Sequence, residues 1–251
     1  MSELLRAEGL LKRFGDLVAV DRVDLTLLAG RLTAIIGPNG AGKTTLINLL
    51  TGAFPPDSGR IYFKGEEITA LAAHQRTRRR LSRSFQVINI FSRLSVLQNM
   101  LIPVLCQQRR ARLPFARWEH QTEAVGEAEA LLEEIGLWEQ RHQPAGALSH
   151  GDQRLLELGI AVAPRPELCF LDEPASGLTP VERSMVLDLV RKLAAERHTT
   201  FAVVEHDMDV VFALADWIVV LNRGGVLAEG PPAEIRGNRQ VREIYLGEEV
   251  A

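Results

Sequence analysis

Apolar and polar residues alternate over residues 4–10 and 20–27, the period-two texture of half-buried strands. Phe14-Gly15-Asp16 between them reads as a turn. Residues 31–36, 167–171, 200–204 and 217–221 are instead nearly unbroken apolar runs, as expected of strands covered on both faces. Between these runs the period lengthens. Helices are predicted from residue 45 through at least 50, over 72–82, over 92–105 with Pro103 near the end, over 123–135 with Gly136 as terminator, from the cap Ser149 through about 163, over 181–197, and between the last two apolar runs. Residues 54–59 read as a turn into a strand at 59–63, residues 84–90 as a loop or strand end, and residues 226–229 as the return strand of a hairpin after Arg223-Gly224-Gly225. Residues 106–120 have no clear period and read as an insertion or an irregular helix pair. Strands that alternate with helices predict an α/β fold with a largely parallel sheet, with a mostly helical middle over residues 87–162.

One turn carries specific chemistry. Gly37-Pro38-Asn39-Gly40-Ala41-Gly42-Lys43-Thr44-Thr45 fits the phosphate-loop pattern G-x-x-x-x-G-K-[ST], and it follows a predicted strand and opens a predicted helix. Glycines let the backbone aim several N–H groups at one phosphate chain, and the helix that follows adds the positive end of its dipole. Lys43 would reach the β- and γ-phosphates, and the Thr44 hydroxyl would sit on Mg²⁺.

A second run, Glu167 to Glu173, is an apolar strand that ends in the adjacent carboxylates Asp172 and Glu173. Beside a phosphate loop, Asp172 is expected at the metal, and Glu173 is expected to orient and deprotonate an attacking water. On its own, a strand ending in two acids is usually a solvated terminus; the upstream loop is what changes the reading.

Length and composition narrow the class. The 251 residues suit one large domain, or a core domain with a subdomain, and 46% hydrophobic with 24% charged residues is ordinary for a globular protein. A net charge of −3 argues against a general polyanion binder. Cys106 and Cys169 are far apart without metal-ligand spacing. No signal peptide and no membrane span are expected from the sequence, so any membrane role would come through a partner. Charge is uneven, however: ten arginines and no Asp, Glu or Lys lie between Ile68 and Trp118. This stretch is either a solvated basic face or a surface for anionic lipid or an acidic partner. Nucleic acid is not expected as a partner, because aromatic residues do not interleave with the arginines for base stacking.

Leu148-Ser149-His150-Gly151-Asp152-Gln153 precedes a helix. With the phosphate loop and the paired carboxylates, it resembles the signature sequence of the ATP-binding cassette (ABC) family, usually LSGGQ, and the resemblance extends over essentially the whole chain. The likeness implies a P-loop ATPase fold over residues 1–251, with a mainly parallel core sheet, an antiparallel N-terminal β subdomain and a helical signature subdomain. The nucleotide-binding core would comprise 1–86 and 163–251 and the helical subdomain 87–162, and no separate regulatory domain is expected.

The same resemblance implies ATP and Mg²⁺ as cofactors. Phe14 would stack on adenine, Gln86 would sense the γ-phosphate and share the metal with Thr44 and Asp172, and His206 would contact the γ-phosphate. Ser149 and Gly151 would close over ATP held by a second cassette. Catalysis would rest on Glu173, His206 and Gln86. Three residues depart from the family pattern: His150 and Asp152 within the signature, and Thr179 in place of an Asp after the catalytic carboxylate.

A finer likeness points to the ATPases of branched-chain amino-acid uptake systems, through residues 85–91, Val96-Leu97-Gln98-Asn99, the signature run and Glu205-His206-Asp207-Met208. It implies an importer subunit on the cytoplasmic face of the cell membrane, with membrane permeases, a second ATPase subunit (identical or paralogous) and, indirectly, a solute-binding protein as partners. An exporter ATPase, a non-transport ABC protein acting on nucleic acid or ribosomes, and a catalytically weak scaffold are the alternatives.

Overall fold

The computed structural model describes residues 2–84, 89–108, 121–197 and 199–246. Its frame is a six-stranded sheet in the order β10-β9-β3-β8-β7-β6. The strands are β3 (Thr33–Ile36), β6 (Leu81–Arg83), β7 (Leu168–Asp172), β8 (Thr200–Val204), β9 (Trp217–Asn222) and β10 (Gly225–Gly230). All neighbours pair in parallel except β9 and β10, which form an antiparallel hairpin at one edge. A separate antiparallel sheet, β2-β1-β4-β5, contains β1 (Glu3–Phe14), β2 (Leu17–Leu28), β4 (Ser58–Phe63) and β5 (Glu66–Glu67).

The apolar runs become strands because both faces of the parallel sheet are covered. Side chains alternate across a strand. Ile35, Leu168, Phe170 and Ala202 thus join one core, with the antiparallel sheet and helix α1 (Lys43–Thr51), while Ala34, Ile36, Cys169, Leu171 and Phe201 join the other. The second core is completed by α3 (Val96–Gln107), α4 (Thr122–Glu134), α5 (His150–Val162) and α6 (Pro180–Arg197). Burying each of Phe170 and Phe201 contributes roughly 1.5–3 kcal/mol. The helical middle therefore shares its apolar interior with the sheet.

Several elements differ from the expectation. Residues 72–82 are not one helix: α2 covers only Ala73–Arg78, and Leu81–Arg83 pairs in register with Leu168–Phe170 as the edge strand β6. The polar residues between Arg78 and Arg83 hid that strand. The helix expected over 92–105 starts at Val96, where Ser95 and Gln98 form a reciprocal capping box, and it continues past Pro103 to Gln107. The segment after the hairpin, for which no helix is predicted, forms α8 (Pro232–Gly237) and α9 (Arg239–Leu246), following α7 (Met208–Leu214). Pro231-Pro232 starts α8 and the Asn238 side chain accepts from Gln240 and Val241 N–H at the head of α9. Ile235 and Val241 bury into the helix-side core. The irregular stretch 106–120 lies outside the described residues from 109 to 120.

Candidate functional site

Register across the sheet assembles the site. Val204 of β8 pairs with Ile35 of β3 on one side and Asp172 of β7 on the other. Three chains thus leave the sheet at one level: the phosphate loop at Gly37, the carboxylates at Asp172 and Glu173, and the turn carrying His206. The C-terminal edge of a parallel sheet is the usual place for ligand-binding loops.

The loop's geometry depends on its glycines at one point above all. Gly42 has φ 99°, and a Cβ there would stand 2.3 Å from the carbonyl oxygen of Ala19 in β2. The loop is therefore clamped against the antiparallel sheet, and only a residue without a side chain fits. Lys43 Nζ donates to Gly37 O at 2.6 Å and Pro38 O at 3.0 Å, so the ammonium spans the hollow of the loop. Burial pulls its pKa below the ordinary lysine value, against the opposing pull of Glu173 and Asp172. Asn39 and Thr44 are exposed at the loop and the first turn of α1, Thr45 is half-buried, and Ala41 is buried.

Asp172 is 2% exposed, and its Oδ2 accepts from Arg83 Nη2 at 2.9 Å. Arg83 also donates to the Asn48 side chain on α1. Glu173 has φ 49°, a left-handed conformation uncommon for a residue with a side chain. Its N–H donates to Val204 O at 2.9 Å, and His206 Nδ1 lies 3.5 Å from its Oε1. The flanking acids of the Glu205-His206-Asp207 run do other work. Glu205 is buried and accepts from Ala175 N–H at 3.1 Å; Asp207 caps α7 by accepting from Asp209 and Val210 N–H. The His206 ring between them remains more than half exposed.

Phe14 is half exposed, with its edge packed on Phe54 (centroids 5.8 Å apart, interplanar angle 87°). Lys12 is ion-paired to Asp57 and sits 5.8 Å and 5.6 Å from the centroids of the two rings, so the pair is held by its neighbours while half of the Phe14 surface stays exposed. Ser149 caps α5, its hydroxyl accepting from Asp152 N–H at 3.1 Å. Gly151 N–H donates to Glu182 Oε1 at 3.2 Å. Gln86 lies outside the described residues.

Sequence reasoning missed three polar residues with defined tasks. Arg83 is one. Arg76, counted in the basic stretch, is 1% exposed and donates to the carbonyls of Leu49, Leu50, Thr69 and Leu71, closing the C-terminal end of α1. Desolvation lowers its pKa to about 10. Asn99, 1% exposed, accepts from Phe91 N–H at 2.8 Å and donates to Phe91 O at 3.1 Å, which leaves the Phe91 side chain 59% exposed. The basic stretch is consequently not one face: Arg76 and Arg83 turn inward, Arg79 and Arg80 pair with Glu66 and Glu167, and Arg78 and Arg93 are exposed. Arginines 109, 110, 112 and 117 lie outside the described residues.

Comparison with known proteins shows the family of this fold. Residues 20–176 match the family model described as ABC transporter, and residues 226–251 match that of the branched-chain amino acid ATP-binding cassette transporter. The chain is 40% identical to the high-affinity branched-chain amino acid transport ATP-binding protein BraF of Pseudomonas aeruginosa, over 98% of both chains. The ADP conformation of MJ1267, an ATP-binding cassette of an ABC transporter, superposes with a TM-score of 0.86 at 34% identity, covering 99% of this chain and 100% of that one. The ATP-binding cassette MJ0796, a dimer in a post-hydrolysis state with ADP and Pi, superposes with a TM-score of 0.77 at 25% identity, covering 91% and 99%. The second match takes in most of β10 and both helices that follow it. With more than half of its length under the first model and a relative this similar along nearly all of it, the chain belongs to the ABC transporter family, among the cassettes that hydrolyse ATP.

Proposed function

We propose that the chain is the ATP-hydrolysing subunit of an importer for branched-chain amino acids or related small amino acids and amides. The observation that carries this reading is the level alignment of the phosphate loop, Asp172–Glu173 and His206 at one sheet edge, in a chain similar from end to end to a branched-chain transport ATPase. The loop from Gly37 to Thr45 wraps the phosphates, Lys43 releases its contacts with Gly37 and Pro38 to reach the β- and γ-phosphates, and adenine stacks on Phe14. Glu173 takes the proton of the water that attacks the γ-phosphorus; the bond to the bridging oxygen breaks, and ADP and phosphate are released. A positioned base contributes ~10²–10⁴-fold. His206 hydrogen-bonds the γ-phosphate.

The residues present fit a magnesium ion. Thr44 offers an accessible hydroxyl and Asp172 an ionisable carboxylate with one oxygen held by Arg83. Among the described residues there is no group of three or more His, Cys, Asp or Glu able to hold a metal alone, and a magnesium ion, which needs only one or two carboxylates beside waters and substrate phosphates, would suit so sparse a set. Thr44, Asp172 and Gln86 would hold it, and when bound it neutralises the charge that develops on the phosphate oxygens.

A single cassette lacks half of its site. Ser149 and Gly151 face the γ-phosphate of ATP held by a second cassette, so ATP joins two subunits. Residues 1–86 and 163–251 form the nucleotide-binding core of this reading, and 87–162 the helical subdomain that carries Ser149 and Gly151. Among the described residues no helix is long and apolar enough to cross a membrane. The membrane link is a permease docked at the cytoplasmic face, and a solute-binding protein acts through that permease. Phe91, presented by Asn99, suits the docking role. Backbone bonds Ala145 N–H to Leu94 O and Gly146 N–H to Ser92 O join its loop to the segment that leads into Leu148-Ser149.

The test is to purify the Glu173→Gln variant with ATP and Mg²⁺ from detergent-solubilised membranes of its native host. Co-purifying multi-spanning permeases, with or without a second cassette, are expected. Ribosomes or nucleic-acid proteins in their place would overturn the transport reading.

A further inference from the structure

Two of the three departures from the family pattern, His150 and Thr179, lie beside one contact between the start of α5 and the head of α6. Thr179 stands at the head of α6, and Thr179-Pro180-Val181-Glu182 is a capping box: Glu182 N–H donates to Thr179 Oγ1 at 3.4 Å, while Glu182 Oε2 accepts from Thr179 N–H at 2.9 Å and from its hydroxyl at 2.8 Å. This arrangement aims the other carboxylate oxygen, Oε1, at the start of α5, where it accepts from Gly151 N–H at 3.2 Å. The approach is close enough that a Cβ on Gly151 would stand 2.7 Å from Glu182 Oε1. The His150 ring lies beside the segment before α6, its Cε1 3.6 Å from where a Cβ on Gly177 would stand.

We propose that Glu182 is an autoinhibitory latch: its carboxylate occupies the Gly151 amide that a phosphate oxygen of the partner-held ATP must take when two cassettes close. The idea rests on the assignment of Ser149 and Gly151 to the γ-phosphate made above. Its physics is competition. One N–H donor cannot serve two anions fully, and a carboxylate about 3 Å from the arriving phosphate adds like-charge repulsion. The carboxylate stays ionised: the hydrogen bonds from Thr179, then that from Gly151, hold its pKa below the ordinary glutamate value. Closure therefore requires Glu182 to swing off Gly151 while its other oxygen remains on Thr179. Thr179 and Glu182 thereby place a threshold on ATP-driven closure, and they link the segment after the catalytic carboxylate to the signature helix within one chain.

The test uses the full chain in the Glu173→Gln background, titrated with ATP and Mg²⁺ while the dimer fraction is followed by sedimentation velocity. Adding Glu182→Ala is expected to lower the ATP concentration for half-maximal dimer by about threefold or more, the size of one charge-assisted hydrogen bond at a partly exposed site. Glu182→Gln, which can keep the Thr179 contact through its carbonyl and turn its NH₂ toward Gly151, is expected to shift it the same way. Binding of a fluorescent ATP analogue to the monomer reports an intact Lys43 loop, and so a folded chain, in each variant. An unchanged or raised half-maximal ATP in folded Glu182→Gln overturns the latch. Ser149→Ala separates the two ideas: dimer that persists without the Ser149 hydroxyl refutes the signature assignment itself, whereas dimer lost in Ser149→Ala with no shift in the Glu182 variants refutes only the latch.

Discussion

Arg83 donates to the buried Asp172 carboxylate at 2.9 Å while its other nitrogen bonds Asn48, so one guanidinium ties the edge strand β6 and helix α1 to the end of β7. Removing one partner of a buried pair strands the other, at a cost of about 3 kcal/mol. Arg83→Ala is expected to lower Tm by roughly 8 °C in a domain of this size, read by calorimetry. Loss of the fixed Asp172 position is expected to lower kcat by about tenfold, with a smaller change in the KM for ATP that the phosphate loop sets. Arg83→Lys keeps the charge but not the fork, and should fall between. Wild-type kcat in Arg83→Ala would remove Arg83 from the positioning role.

Arg76 closes α1 from below as the nucleotide would occupy it from above. Its guanidinium serves four carbonyls on α1 and the 69–71 turn. Truncation leaves these oxygens buried without that partner, at about 1–3 kcal/mol each where no water reaches them. Arg76→Ala is therefore expected to lose about 3–5 kcal/mol overall, seen as a lower urea midpoint. Arg78→Ala, two residues away and exposed, should stay within about 0.5 kcal/mol of wild type.

These two arginines mark where the sequence stops being readable. The phosphate loop, the buried strands and the cap at Ser149 are local patterns, and each needs only its neighbours in sequence. Arg76 and Arg83 sit in a run of positive charge that looks solvated, and their burial is decided by partners 26–27 and 89 residues away. Strand β6 was hidden for the same reason: three residues among arginines carry no period, and only pairing with Leu168–Phe170 makes them a strand. The helices after β10 did leave a signal, proline at the start of one and Asn238 before the other. Glu205 and His206 are neighbours of similar appearance in the sequence; depth below the sheet edge separates a buried anchor from an exposed functional ring.

Glu205 yields a pH prediction. Burial raises its pKa above the ordinary glutamate value, opposed by the Ala175 N–H bond and by His206, and reinforced by the charge of Glu173. A carboxyl whose folded pKa lies above its unfolded value binds the proton more tightly when folded. Its contribution to stability is therefore whole below the unfolded pKa and is lost as pH rises through the folded one. Glu205→Gln keeps a carbonyl for Ala175 and has no charge to bury. It is expected to match wild type at pH 4 and to become the more stable of the two as pH rises above the ordinary glutamate range, levelling off beyond the folded pKa. Urea midpoints at several pH values would show it; a gap that does not change with pH would mean that the charge of Glu205 carries no burial cost.

Glu173 and Lys43 should fail in opposite ways. Glu173→Gln preserves shape and one acceptor but cannot take a proton, so ATP binding survives and turnover falls by about 10²-fold or more. The variant is expected to accumulate as an ATP-bound dimer. Lys43→Ala removes the ammonium that spans the phosphate loop, leaving phosphate charge uncompensated, so it is expected to lose nucleotide affinity and remain monomeric in ATP. Equilibrium binding of a fluorescent ATP analogue, run beside a phosphate-release assay, distinguishes the two. Retained binding in Lys43→Ala, or wild-type phosphate release in Glu173→Gln, would break the assignment of that residue while leaving the other in place, because Lys43 opens α1 after β3 whereas Glu173 follows β7, and each is given a different task.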